Sequence, residues 1–304
     1  MVELIFYGLV LGSIIALGSI GLTLVFGILK FANFAHGDLM TGGAYLAFFF
    51  VNSVFSWIDL PETVFGTTSF GIRMILAILL SGILVAALSI GIDQWVYKKI
   101  RRTKGSAILK AISALGISFI LRMLVYIIWG SDSLDYYPGK LRPAIRLPLG
   151  IKIRPDQIII LIIVVLLVTG LHLFLKYTRT GKAMRATADN IALAGISGIN
   201  TERITIWTWG IGGFLASVAG ILYGIDVRLN PEMGWAFLLP MFAAAILGGI
   251  GNMYGALLGG LVIGVVQQLS TSFLKPTYKP AVAFLILIII LIIRPQGIFG
   301  GKKQ

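Results

Sequence analysis

Few residues in this chain could do chemistry. It has two histidines and no cysteine among 304 residues, so disulfides and thiol chemistry are excluded. His36 and Asp38 stand two apart, whereas a helical metal pair needs the i, i+4 spacing, and no HExxH, GxSxG, P-loop or CxxC is present. What remains is polar chemistry inside apolar surroundings. Asn33, His36 and Asp38 interrupt the stretch KFANFAHGDLMTGGAYLAFFFV at 30–51. They read either as a polar turn that caps the following helix, with Asp38 favoured near its N-terminus by the helix dipole, or as a turn lining a pathway or gate. Polar groups at membrane depth are expensive and tend to be functional, which favours the second reading. Arg122 falls within an apolar run, where a central charge costs about 2.5–3.5 kcal/mol on insertion scales. Its long stem is expected to let it snorkel outward, with a substrate contact as the alternative. Asp93 is expected to pair locally with Lys98 or Lys99, and His172 to sit at a membrane interface.

The composition explains the poverty of chemical groups. The chain is 58% hydrophobic and 12% charged, with a mean hydropathy of +0.95; a soluble domain carries about 25% charged residues. It is a polytopic membrane protein. The net charge of +13 does not point to nucleic acid, because the Lys and Arg residues lie in short loops between apolar runs, where they act as topology signals. A nucleic-acid patch would form a continuous soluble face. The N-terminus lacks a basic segment before a long apolar run, so it is expected to remain as the first span.

Apolar runs predict spans near 4–29, 31–56, 72–97, 107–129, 158–175, 204–225, 236–251, 254–273 and 281–293. This is an all-α bundle of about nine crossings, eight to ten being compatible with the pattern, in a single transmembrane domain over 1–304. KKIRRTK at 98–104 and the basic residues of 176–185 mark cytoplasmic loops, while Asp59 and Glu62 mark an outside loop. Parity then places the N-terminus outside and the C-terminus inside. The Pro- and Tyr-rich loop 131–157 falls outside by parity although it carries Lys140, Arg142, Arg146, Lys152 and Arg154. Segments 31–56 and 236–252 are the weakest spans, and either could be broken or re-entrant. Their rough symmetry along the chain suggests a pseudo-repeat. Discontinuous segments in corresponding halves often mark a transport path, and such backbone is tolerated only when buried in protein or lining a cavity. Asn33, His36, Gly37 and Asp38 in the first segment, with Gly248 and Gly249 in the second, are therefore the candidate pathway or gate residues.

The longest polar interruption on the basic side is KYTRTGKAMRATADNIALAGISGINTER, 176–203. Ala186 to Gly195 reads as one short helix with Ala188, Ala192, Ile196 and Ile199 on a face. At about 15 Å it is too short to span a bilayer and marginal alone in water. It must lean on something: a soluble partner, or its own membrane domain.

The stretches GLTLVFGILKFANFAHGDLM (21–40), KYTRTGKAMRATADNIALAGISGIN (176–200), AAAILGGIGNMYGALLGG (243–260) and RPQGIFG (294–300) resemble the branched-chain amino acid permease family of ABC transporters, and within it the first of two permease subunits. The resemblance implies an assembly of two homologous permeases, two cytoplasmic ATPases and an extracytoplasmic binding protein. It implies that Arg185, Asp189, Ala192, Gly195 and Gly198 lie at the ATPase-coupling contact, that ATP and Mg are held on the partner ATPases with no cofactor on this chain, and that transport runs by alternating access in a prokaryotic cytoplasmic membrane. The cargo it implies is a branched-chain or other small amino acid, with urea or a short amide as the alternative. An ion-coupled transporter or channel would more often carry several ionisable residues deep in its spans. An intramembrane enzyme would have only His36 and Asp38 to work with.

Overall fold

The computed structural model describes residues 1–58, 60, 64, 66, 68–103, 105–138, 143–146, 152–294 and 296–299. Asp59, Glu62, Lys104, Lys140 and Arg142, named above among the loop charges, lie outside them, as do residues 300–304. Among the described residues eight helices are long and apolar enough to cross a membrane, and a ninth is shorter. They are α1 (Val2–Leu29), α2 (Ala35–Trp57), α3 (Ile72–Arg102), α4 (Ala107–Trp129), α5 (Pro155–Tyr177), the two short helices α6 (Arg179–Asp189) and α7 (Ile191–Ile196), then α8 (Thr201–Asp226), the shorter α9 (Met233–Gly248), α10 (Met253–Ser270) and α11 (Pro276–Ile293). A two-stranded ribbon pairs Ile145–Arg146 with Lys152–Ile153. The fold is an all-α polytopic bundle. Helices dominate because in lipid each span must satisfy its own backbone hydrogen bonds.

The centre is built from α1 and α8, whose most apolar stretches are 83% and 72% buried; those of α4 and α5 are 22% buried and that of α11 6%, so these form the outer shell. The tightest seam joins α1 to α10. Gly8, Gly12 and Ala16 recur every fourth residue on α1, facing Gly260 and Gly264 on α10. A Cβ on Gly12 would lie 2.9 Å from the Gly260 carbonyl oxygen, and one on Gly260 would lie 2.5 Å from the Ala16 Cα. Small residues let the two backbones meet where there is no hydrophobic effect to draw helices together.

The connections segregate into two ends. At one, Glu3 accepts the Lys152 N–H (2.9 Å), Tyr7 donates to the Lys152 carbonyl (2.6 Å), Arg154 pairs with Asp226 (2.6 Å) and Arg228 with Asp135 (2.6 Å). At the other, Lys30 Nζ donates to the Ala188 carbonyl (3.2 Å), Arg101 pairs with Asp93 and Lys98 with Glu202 (2.9 Å). The second end also carries Lys99, Arg102, Lys176, Arg179, Lys182, Arg185 and Arg203; it is called the basic end below.

Several expectations need correction. Asp93 pairs with Arg101, at 3.0 Å between Nη2 and Oδ2, and not with Lys98 or Lys99. A π-helical stretch at Asp93–Tyr97 shifts the register there, and Lys98 reaches α8 instead. Segment 31–56 is interrupted only at its start, where Lys30 adopts a left-handed conformation (φ 54°) and 30–34 forms a turn; α2 then runs unbroken to Trp57, through a π-helical stretch at Phe50–Val54. Residues 236–248 belong to one continuous helix despite Pro240. The missing N–H of a proline is tolerable in a helix packed among neighbours, and this segment is short, not broken.

Candidate functional site

The α2 start delivers its polar residues to separate jobs. The Asn33 side-chain oxygen accepts the Ala35 N–H at 3.2 Å and closes the turn ahead of α2; the N-cap position is Phe34, and no side chain caps the helix there. His36 Nε2 lies 2.9 Å from the Gly18 carbonyl oxygen of α1 and pins the turn to the central helix. Asp38 caps nothing. Its carboxylate is fully buried and faces α4, where Arg122 Nε meets Oδ1 at 3.0 Å, Arg122 Nη2 meets Oδ2 at 3.2 Å, and the Ser118 hydroxyl donates to Oδ2. The expectation that Arg122 snorkels outward is therefore wrong. The residue is 7% exposed, because a buried carboxylate within reach offsets the cost of keeping the charge inside, in the bidentate geometry that makes such pairs strong.

A third helix closes this junction. Arg122 Cζ stands 4.5 Å from the Trp235 ring centroid and 5.6 Å from that of Phe119, close enough for cation–π attraction. One residue before Trp235, Gly234 of α9 lies backbone to backbone on Gly37 of α2; a Cβ on either would collide with the other's carbonyl. The Gly234 N–H donates to Thr41 Oγ1 at 3.0 Å, and the Tyr126 hydroxyl of α4 donates to Glu232 at 3.1 Å. Helices α2, α4 and α9 thus meet at one point within the span, held by charge, hydrogen bonds and two glycines. Asn33, His36, Gly37 and Asp38 all lie in the turn before α2 or in its first turn. Gly248 and Gly249 do not join them. They end α9 at the basic end, where Gly248 packs on Gly255 of α10 and its carbonyl accepts the Phe299 N–H at 3.3 Å. It is the beginning of α9, not its glycine-rich end, that meets α2. Sequence reasoning missed Arg122, Ser118, Trp235 and Gly234 as neighbours of Asp38 and Gly37. The available signal was that opposite charges stand deep in two apolar runs.

The basic end holds the second candidate. The single helix expected over Ala186–Gly195 is two helices. Asn190 leaves the helical region (φ −153°, ψ 104°), and its side-chain oxygen accepts the Ala192 and Leu193 N–H groups at 3.0 Å each. An Asn side chain competes with the helix ladder for those donors and starts a new helix. The break rotates the two faces apart, so Ala188, Ala192, Ile196 and Ile199 do not share one. α6 packs inward through Gly181, Met184 and Thr187. α7 buries only Ala194 and leaves Ile191 47%, Leu193 57% and Ile196 84% exposed. Arg185, Asp189, Ala192, Gly195 and Gly198 are exposed on the same segment, Gly198 with φ 84° in the turn after α7. His172, at the α5 end, is hydrogen-bonded to the Tyr254 hydroxyl.

The chain is similar over nearly its whole length to permeases of known type. It is 33% identical to the high-affinity branched-chain amino acid transport system permease protein LivH of Salmonella typhimurium, over 98% of this chain and 95% of that one. LivH of Escherichia coli is likewise 33% identical, with the same coverage. The corresponding protein BraD of Pseudomonas aeruginosa is 35% identical over 97% of this chain and 94% of its own. No solved structure matches the chain. Residues 4–291 match the family described as the permease component of branched-chain amino acid transport systems, and the chain belongs to that family.

Proposed function

We propose that this chain is a membrane-spanning permease subunit of an ABC importer for branched-chain or other small amino acids, working in the cytoplasmic membrane with its basic end in the cytoplasm. In this reading a second, homologous permease completes the pore, two cytoplasmic ATPases bind and hydrolyse the nucleotide, and an extracytoplasmic binding protein delivers substrate. The single observation that carries the coupling role is α7: a short helix outside the span that leaves Ile191, Leu193 and Ile196 exposed. Apolar side chains clustered on a water-facing helix mark a docking surface, and an ATPase cleft would cover them. The basic residues around α6 and α7 favour a cytoplasmic placement.

The chain's own links then suggest how motion passes inward. Lys30 Nζ holds the α1–α2 turn to Ala188 at the end of α6. Lys98 holds the end of α3 to Glu202 in the first turn of α8. A push on α7 would be carried by these contacts to α1, α3 and α8 as rigid bodies, with the Asp38–Arg122 junction holding α2 against α4. Alternating access requires two arrangements of such packed units, not continuous deformation.

A cysteine at Ala192 in this cysteine-free chain tests the reading. In inside-out membranes containing the whole transporter, Ala192→Cys should crosslink to an ATPase chain, with a yield that changes when ATP is added. No capture, together with labelling of the cysteine from the opposite face, would overturn both the docking role and the orientation.

A further inference from the structure

A cavity of about 710 Å³ opens at the basic end, bounded by the last turns of α1 and α5, by α6 and by the turn that begins α10. Its contents are divided. Leu24, Ile28, Leu175 and Met184 form an apolar floor, while Lys176, Lys182 and Arg185 line it with positive charge. One carboxylate, Asp189, also lines it. Among the described residues no carboxylate pairs with any of the three cations, and Lys176 Nζ rests 5.3 Å from the Tyr177 ring. The cavity is therefore cationic and lacks a counter-charge equal to its own.

Its depth bears on what the counter-charge is. Lys176 sits in the last turn of α5, where that helix leaves the apolar span, and Lys182 and Arg185 follow on α6. On α5 Leu173 and Tyr177 are 48% and 65% exposed, and Tyr254 at the cavity wall is 51% exposed. Apolar and aromatic groups facing outward beside the mouth are the signature of the headgroup level. Cationic pockets between spans at this level suit phosphate headgroups. A soluble anion would have no use for the apolar floor.

We propose that this cavity binds the phosphate headgroup of an anionic membrane lipid, with Lys176, Lys182 and Arg185 supplying the charge and the apolar floor receiving the lipid's glycerol and first methylenes. Such a lipid would tie α5 and α6 to α1 and α10 directly behind the exposed helix α7.

The test is lipid retention by the purified full chain, read by native mass spectrometry during titration with phosphatidylglycerol, cardiolipin or phosphatidylcholine. The anionic lipids should be retained in preference to phosphatidylcholine. Lys176→Gln with Lys182→Gln should weaken their retention by about tenfold or more, the size expected for two charges lost at a lipid surface. Lys176→Arg with Lys182→Arg should keep it, which separates charge from misfolding, and Lys99→Gln with Arg102→Gln at the same end should leave it unchanged. Equal retention by native chain and the glutamine variant, or no preference for anionic lipid, would overturn the proposal. Release of bound lipid by millimolar methyl phosphate would overturn the lipid assignment and leave a site for soluble phosphate esters.

Discussion

Arg122 keeps its charge within the span because Asp38 and Ser118 meet it there. A buried pair of this kind adds little over a well-packed apolar pair, yet removing one partner strands the other, at a cost of about 3–5 kcal/mol. Asp38→Asn should therefore lower the thermal stability of the purified chain sharply. The double change Asp38→Leu with Arg122→Met should recover much of the loss, and a double variant as unstable as the sum of the singles would contradict the pairing. The pair also shows how far single residues are legible. Arg122 is visible as an anomaly in an apolar run, but its reach is not. Snorkelling and pairing both relieve a buried charge. What separates them is whether a carboxylate on another helix lies within about 3 Å, which sequence distance does not encode.

Elements obey a stricter geometry. Gly260 and Gly116 are both glycines inside spans, but a Cβ on Gly260 meets the α1 backbone while one on Gly116 meets nothing within 4 Å. Gly260→Leu should abolish accumulation of folded chain in membranes, and Gly116→Leu should leave it near the native level, as judged by monodispersity in detergent. Helix breaks are equally local. Asn190 ends α6 and caps α7 with one side chain, so Asn190→Ala should remove about 1 kcal/mol of capping and favour one continuous helix. If α7 is the docking element, that variant should lose much of its ATP-driven amino acid uptake in proteoliposomes of the whole transporter while still inserting normally. Unchanged uptake would show that the break has no part in coupling. The spacing of Ala188, Ala192 and Ile196 suggests one helix because helical periodicity cannot register a single residue that leaves the helix between them.

At the level of the whole molecule, the eight span-length helices and the shorter α9 among the described residues bring α1 and α11 to an end on the same side, the end that holds α6 and α7 and where the basic residues concentrate. Cysteines at Ile196 and Asp132 should accordingly react with an impermeant maleimide from opposite faces: Ile196→Cys in inside-out vesicles, Asp132→Cys in right-side-out ones. Labelling of both from one face would refute the arrangement of ends. The outer shell of α4, α5 and α11 presents exposed Ile, Leu and Phe side chains, as a surface meant for lipid or another apolar chain must.

Membrane class, the positions of the spans to within a few residues, the basic end and the polar turn at 30–38 are all readable in the chain before any folding. They follow from composition and from runs of like residues, which are additive along a polypeptide. The family's motifs, spread through nearly the whole chain, are readable in the same way. Four facts are not: that Asp38 meets Arg122, that Gly37 meets Gly234 and not the glycines at 248 and 249, that Asn190 divides the coupling segment, and that three cations line one cavity. Three of these are distances between residues on different elements, and the fourth is a backbone angle at one residue. In an apolar bundle almost every helical face is equally hydrophobic, so periodicity gives no account of which face turns inward, and the close fit of backbones settles it.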